Sequence, residues 1–130
     1  VFAGIATAAR HAERGTVFVF DCGNADAYLA MSELPSLETR VNVPGFSAMA
    51  RSSFELDRET LLLKRTRVWD LGAGQSAEDY CEYRLHRADA LKQTLARSGF
   101  LVREMAGDSA GKELAPGERT LYVVAVMGEN

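Results

Sequence analysis

The sequence predicts an α/β fold interrupted by an antiparallel β meander. Three observations predict it. Residues 16–21 (TVFVFD) and 119–127 (RTLYVVAVM) are apolar almost without a break, the pattern of strands buried on both faces, as in a parallel sheet. Residues 1–14 and 87–98 carry apolar side chains at helical spacing. Between these blocks, residues 40–86 alternate apolar and polar positions between turn signals, as antiparallel strands with one buried face do.

The elements follow in order. In the first helix, Phe2, Ile5, Ala9 and Ala12 fall on one face, and Gly15 stands where a helix commonly ends. The strand 16–21 runs into Asp21-Cys22-Gly23-Asn24, which reads as a loop, and residues 25–31 read as one or two helical turns. Within the meander, strands are expected at 40–43, 48–56, 60–71 and 78–86. Pro44-Gly45, Asp57-Arg58-Glu59 and Gly72-Ala73-Gly74-Gln75 separate them. Ala88, Leu91 and Leu95 then mark a second helix closed by Gly99. Its first position is held by Arg87, where Ser or Thr would cap better. A strand at 101–106, a Gly/Pro/Ser loop at 108–118 and the last strand complete the order α, β, antiparallel insert, α, β, β. The domain division expected is a partial α/β core from 1–39 and 87–130, with an antiparallel cap from 40–86.

The chain has 130 residues, one domain or a large part of one. Its 47% apolar and 25% charged content is that of an ordinary globular protein. Fifteen basic residues stand against 18 acidic ones, a net charge of −3, so no nucleic-acid partner is expected. The two cysteines, Cys22 and Cys81, lack metal-ligand spacing and fit a reducing, cytoplasmic setting. No apolar run is long enough to span a bilayer, so no membrane partner is expected either. Val1 opens directly on a helical pattern with no initiator Met, as in a piece of a longer protein.

His11 to Thr16 with VFVFDCGN, Leu85 to Phe100, and Gly107-Asp108 with Arg119 and LYVVAV, taken in that order, resemble stretches of class I S-adenosylmethionine-dependent methyltransferases. The helix, then His11-Ala12-Glu13-Arg14-Gly15-Thr16 and VFVFDCGN, is similar to the turn into that family's fifth strand, "L-x-P-G-G-x-strand-D-x-x-N". Leu85 to Leu91 with Leu95 and Ser98-Gly99-Phe100 resembles its "E-L-x-x-L-L-x-x-A-G-F" helix. Gly107-Asp108, Arg119 and LYVVAV resemble its closing "G-D … R-x-strand". The resemblance covers residues 1–127. It implies the C-terminal part of a Rossmann-like methyltransferase sheet, parallel strands plus an antiparallel last strand. The antiparallel insert would be the cap carried by small-molecule members.

The resemblance further implies S-adenosyl-L-methionine as cofactor of the full-length enzyme and a small-molecule nitrogen or oxygen acceptor. The transfer is a direct displacement that needs mainly alignment, with a base only if the acceptor arrives protonated. The family holds its cofactor with its N-terminal half, so no cofactor-binding residue is expected in this chain. One segment imitates that motif: Val68-Trp69-Asp70-Leu71-Gly72-Ala73-Gly74-Gln75-Ser76. An acidic residue should follow across one helix, but Glu104 comes too late, and Tyr80-Cys81-Glu82-Tyr83-Arg84 favours a strand. A hairpin turn is the simpler reading.

The candidate substrate-binding residues are Asp21, Asn24, Tyr28, Arg84 and His86. The first three follow a buried strand, at the edge where open α/β sheets bind ligands. Arg84 and His86 lie at the exit of the insert, and strand alternation puts them on one face, with Tyr83 on the other. Plainer readings stand beside these: Asp21 as a turn cap, Asn24 as a left-handed turn residue, His86 as a boundary residue. Tyr80, Tyr83 and Trp69 read most simply as packing, and His11 as solvated. No Ser-His-Asp or zinc site can be assembled. A homodimer through the β insert is expected as a possible partner. The alternative function is a non-catalytic α+β binding or dimerisation module.

Overall fold

A computed structural model describes residues 1–128. The domain division expected from the sequence runs to 130, and its last two residues lie outside those described. In chain order the elements are α1 (Phe2–His11), β1 (Val17–Gly23), α2 (Ala25–Leu29), β2 (Leu37–Val43), β3 (Phe46–Asp57), β4 (Leu62–Gly72), β5 (Gln75–Arg84), α3 (Ala88–Arg97), β6 (Phe100–Ala106) and β7 (Thr120–Met127). They form two compact units. One holds Val1–Ala30 and the chain from Leu85 onward; the other is Met31–Arg84.

The first unit is a three-stranded sheet in the order β1-β7-β6. One face of it is dry. Ile5 of α1 and Leu91 and Leu95 of α3 pack with Phe100, Leu121, Val123 and Ala125, all nearly inaccessible, while Phe18, Phe20 and Cys22 border the cluster. A buried Leu or Phe side chain contributes roughly 1.5–3 kcal/mol, so this cluster is the main stabilising element of the unit. The opposite face is different: Val17, Val19 and Leu101 are 59%, 62% and 58% exposed. The continuous apolar runs had predicted burial on both sides, and within this chain helices cover one.

The expected antiparallel last strand is present as β7, and no two named strands pair in parallel. Every pair of named strands is antiparallel, in both sheets. β1 and β6 run in the same direction, but each is hydrogen-bonded to β7, which runs the other way between them. The reason is the connection. β6 reaches β7 through a loop without a crossover helix, and such a link delivers an antiparallel neighbour. A single parallel bridge, Asn24 to His86, joins the end of β1 to the segment before α3.

Two boundaries also move. α1 stops at His11, and Ala12 is already extended. The Gly15 N–H donates to the Met127 carbonyl at 2.9 Å, and the Met127 N–H donates to that of Thr16. The chain therefore leaves the helix early to join β7. At the other end, Ser98 and Gly99 close α3, with Gly99 at φ +91°. Arg87 makes no side-chain cap.

The second unit is a meander in the order β2-β3-β4-β5. β2 begins at Leu37, ahead of residue 40, because Leu37, Glu38 and Thr39 pair with Ser52, Arg51 and Ala50. Asp57 Oδ1 accepts the N–H groups of Glu59 and Thr60 at the β3–β4 turn. Those bonds, the Thr60 one foremost, hold its carboxyl below the usual range. Gly72, Ala73 and Gly74 are all left-handed, at φ +81°, +51° and +76°, and turn β4 directly into β5.

Candidate functional site

Three chain segments meet at the C-terminal end of β1. Gly23 comes within close approach of Leu85: a Cβ at Gly23 would collide with Leu85 Cδ2, so any larger residue there would have to displace that buried leucine. This contact lets the His86 N–H donate to the Gly23 carbonyl at 3.0 Å and the Ala25 N–H to the His86 carbonyl at 2.9 Å. The third segment enters from the loop before β7, where the Arg119 carbonyl accepts from the Asn24 N–H at 2.8 Å.

Asn24 is the centre of this junction. It is 5% exposed. Its Oδ1 accepts from the Asp26 N–H at 3.2 Å and so caps α2, while its Nδ2 donates to the Glu118 carbonyl at 2.8 Å. Its φ of −86° is ordinary, so the left-handed turn reading does not apply. His86 is equally buried, and its ring lies 4.9 Å from that of Phe2, tilted by 59°. Outside this pair, Arg87 Nη1 donates to Asp26 Oδ1 at 2.8 Å, an exposed ion pair of small energetic weight.

Tyr28, on α2, is half-buried. Burial pushes its hydroxyl above the usual phenol value, and the positive charge of the neighbouring Arg119 guanidinium works in the opposite direction. Asp21 is exposed on β1, opposite Tyr122. Its neighbour Cys22 faces the core, and burial pushes that thiol up to about 11, so it is not a nucleophile near neutral pH. The chemistry available here is a buried imidazole and a phenol–guanidinium pair on a framework held by backbone hydrogen bonds. Among the described residues, no group of His, Cys, Asp and Glu is arranged to hold a metal ion.

The structure thus brings Asn24 and His86 together, with Tyr28 on the helix that Asn24 caps. Arg84 is not a strand neighbour of His86. β5 ends at Arg84, and the chain passes into the other unit at Leu85. Arg84 is exposed on the meander, with Nη1 donating to the Thr60 carbonyl at 3.3 Å. The alternation argument fails because it assumed an unbroken strand to residue 86. Arg119 and Phe2 were not singled out as site residues. Their contacts with Tyr28 and His86 are long-range, and no spacing in the sequence announces them.

The Gly72-Ala73-Gly74 turn does not have the form of the cofactor-binding motif that its sequence imitates. A Gly-rich binding turn leads into a helix whose free N–H groups face the ligand. Here Gly72-Ala73-Gly74 leads into β5, with Ser76 paired to Asp70. Among the described residues, no helix is long and apolar enough to cross a membrane.

No family model and no curated protein matches the sequence. Solved structures do match. The CcbJ methyltransferase from Streptomyces caelestis aligns with TM-score 0.77 at 15% identity, over 98% of this chain and 50% of its own. A S-adenosylmethionine-dependent methyltransferase from Clostridium acetobutylicum gives 0.73 at 11% identity, over 98% and 51%. A sugar N-methyltransferase from a Streptoalloteichus species gives 0.68 at 17% identity, over 98% and 49%. The chain spans about half the length of each, and over almost all of its own length it has the fold of one half of such a methyltransferase.

Proposed function

We propose that this chain is the C-terminal half of an S-adenosyl-L-methionine-dependent methyltransferase that methylates a nitrogen or oxygen of a small molecule. The observation that carries this reading is the fold match over 98% of the chain to methyltransferases twice its length. The sugar N-methyltransferase among them makes an amino sugar the first acceptor to try. In this reading the division is an α/β core from 1–39 and 87–130 with a cap from 40–86. The unpaired edge of β1 is where parallel strands of a Rossmann-like sheet would add. The two free cysteines suit the cytoplasm, and the β insert is a candidate homodimer surface.

Asp21, Tyr28 and His86 would border the acceptor, and Asn24 would hold the backbone that presents them. Arg84 is the candidate contact of the insert itself. A buried imidazole suits the proton acceptance that a protonated amine or hydroxyl requires, and the Tyr28 hydroxyl suits orientation of a polar acceptor. The test uses the protein encoded by the complete reading frame. His86→Ala and Tyr28→Phe should lower kcat/KM for an amino sugar at least tenfold, with cofactor affinity changed less than twofold. Loss of cofactor binding alone, or normal turnover in both variants, would overturn this placement of the acceptor.

A further inference from the structure

The meander carries a charged cluster that the methyltransferase reading does not use. Along β4, Arg65 and Arg67 point to the same face of the sheet, with Trp69 one step further. Cross-strand pairing puts Asp79 beside Arg67 and Cys81 beside Arg65 on β5, and Ser52 and Phe54 beside them on β3. The positions flanking this group on that face, Ala50, Leu56, Leu63, Ala77 and Tyr83, carry no charge. Two guanidinium groups therefore share one carboxylate in an otherwise uncharged neighbourhood.

That carboxylate is already engaged. Asp79 Oδ2 accepts from both Arg67 Nε and Trp69 Nε1 at 2.8 Å, which holds its carboxyl below the usual range. Arg65 reaches Asp79 only at 3.6 Å, beyond hydrogen-bonding distance. Its Nε is buried, with no hydrogen-bond partner among the described residues. A buried charged donor without an acceptor is costly. Both guanidiniums are nonetheless held in place. That of Arg65 lies 5.4 Å from the Tyr83 ring centroid and that of Arg67 lies 4.8 Å from the Trp69 ring, each fixed by a cation–π contact. Their side chains are 21% and 27% exposed, so solvent reaches them.

We propose that Arg65 and Arg67 form a binding site for a singly charged oxyanion on a small molecule, a carboxylate or a phosphodiester, seated beside Trp69 and Tyr83. The net charge of +1 is what one such anion would neutralise. Arginine supplies paired donors matched to two oxygens of either group, and partial burial strengthens the pairing relative to water. The adjoining rings would pack against the apolar part of the ligand. The site stands whether or not the chain belongs to a methyltransferase.

Trp69 is the only tryptophan in the chain, so its fluorescence reports on this cluster. Acetate and dimethyl phosphate are titrated into the 130-residue chain against potassium chloride at matched ionic strength. A saturable change with one or both, absent with chloride, is expected; response to acetate alone assigns a carboxylate, and to dimethyl phosphate alone a phosphodiester. Arg65→Gln should weaken binding about tenfold or more, as loss of a charge-assisted bond does. Asp79→Asn, which leaves an oxygen to accept from Trp69, should tighten it severalfold. A merely structural cluster would move both variants the same way. Changes that follow ionic strength alone, or variants that both bind like the parent chain, would overturn the proposal. Circular dichroism checks that each variant is folded; should Arg65→Gln fail to fold, Arg65→Lys takes its place and is expected to weaken binding severalfold through loss of the two-donor geometry.

Discussion

Replacing Asn24 by alanine removes two hydrogen bonds at once, and the structure allows the cost to be worked out. The Oδ1 bond to the Asp26 N–H is a helix cap, worth about 1 kcal/mol. The Nδ2 bond to the Glu118 carbonyl is a side-chain-to-backbone bond worth about 0.5–1.5 kcal/mol. Asn24→Ala should therefore destabilise the chain by about 2 kcal/mol. Asn24→Ser keeps an oxygen for the cap and loses only the link to Glu118, so it should cost about half as much. Urea unfolding of the 130-residue chain, followed by circular dichroism, measures both. Two results would refute the reasoning: Ala within about 0.5 kcal/mol of the parent chain, or Ser as costly as Ala. The first would mean that Asn24 is held for a ligand and not for the fold; the second, that the Glu118 link alone matters.

Other outcomes follow from the same structure. Gly23→Ala should cost about 1–3 kcal/mol through the forced shift of Leu85, and in the Leu85→Ala background the added cost should largely vanish, as thermal unfolding of the double-mutant cycle would show. Ala73→Gly should stabilise the β4–β5 turn by up to about 1 kcal/mol, because Ala73 holds φ +51°; a lower urea midpoint would contradict this. Cys22 should react with iodoacetamide in a Cys81→Ser background with a midpoint near pH 11. The sign follows from its raised value: the unfolded thiol ionises first, so stability is full below about pH 9 and falls as the pH rises towards 11. Calorimetry should detect no stoichiometric binding of S-adenosyl-L-methionine to this chain alone; micromolar binding would reinstate the Gly72-Ala73-Gly74 turn as a cofactor loop.

Local pattern was enough for much of this molecule. Helical spacing of Leu91 and Leu95 and the glycine after them place α3 to within a residue. Alternation with Gly and Asp turns marks every strand of the meander, and the lack of a helix after Gly74 separates a hairpin from a cofactor loop. These features depend on neighbours a few residues apart, where side-chain period and turn chemistry act. The candidate site was legible only in part. Asn24 was found because it follows a strand, but its role as a cap tied to Glu118 depends on a partner 94 positions away. The pairing of His86 with Asn24, the early end of α1 at His11 and the insertion of β7 between β1 and β6 were decided by tertiary structure. Each is a choice of hydrogen-bond partner from a distant segment, and a strand's composition does not say which edge it will meet or in which direction. The exposed Val17 and Val19 show the same limit: apolar composition marks a face that favours burial, but only the assembled fold determines which face the helices cover.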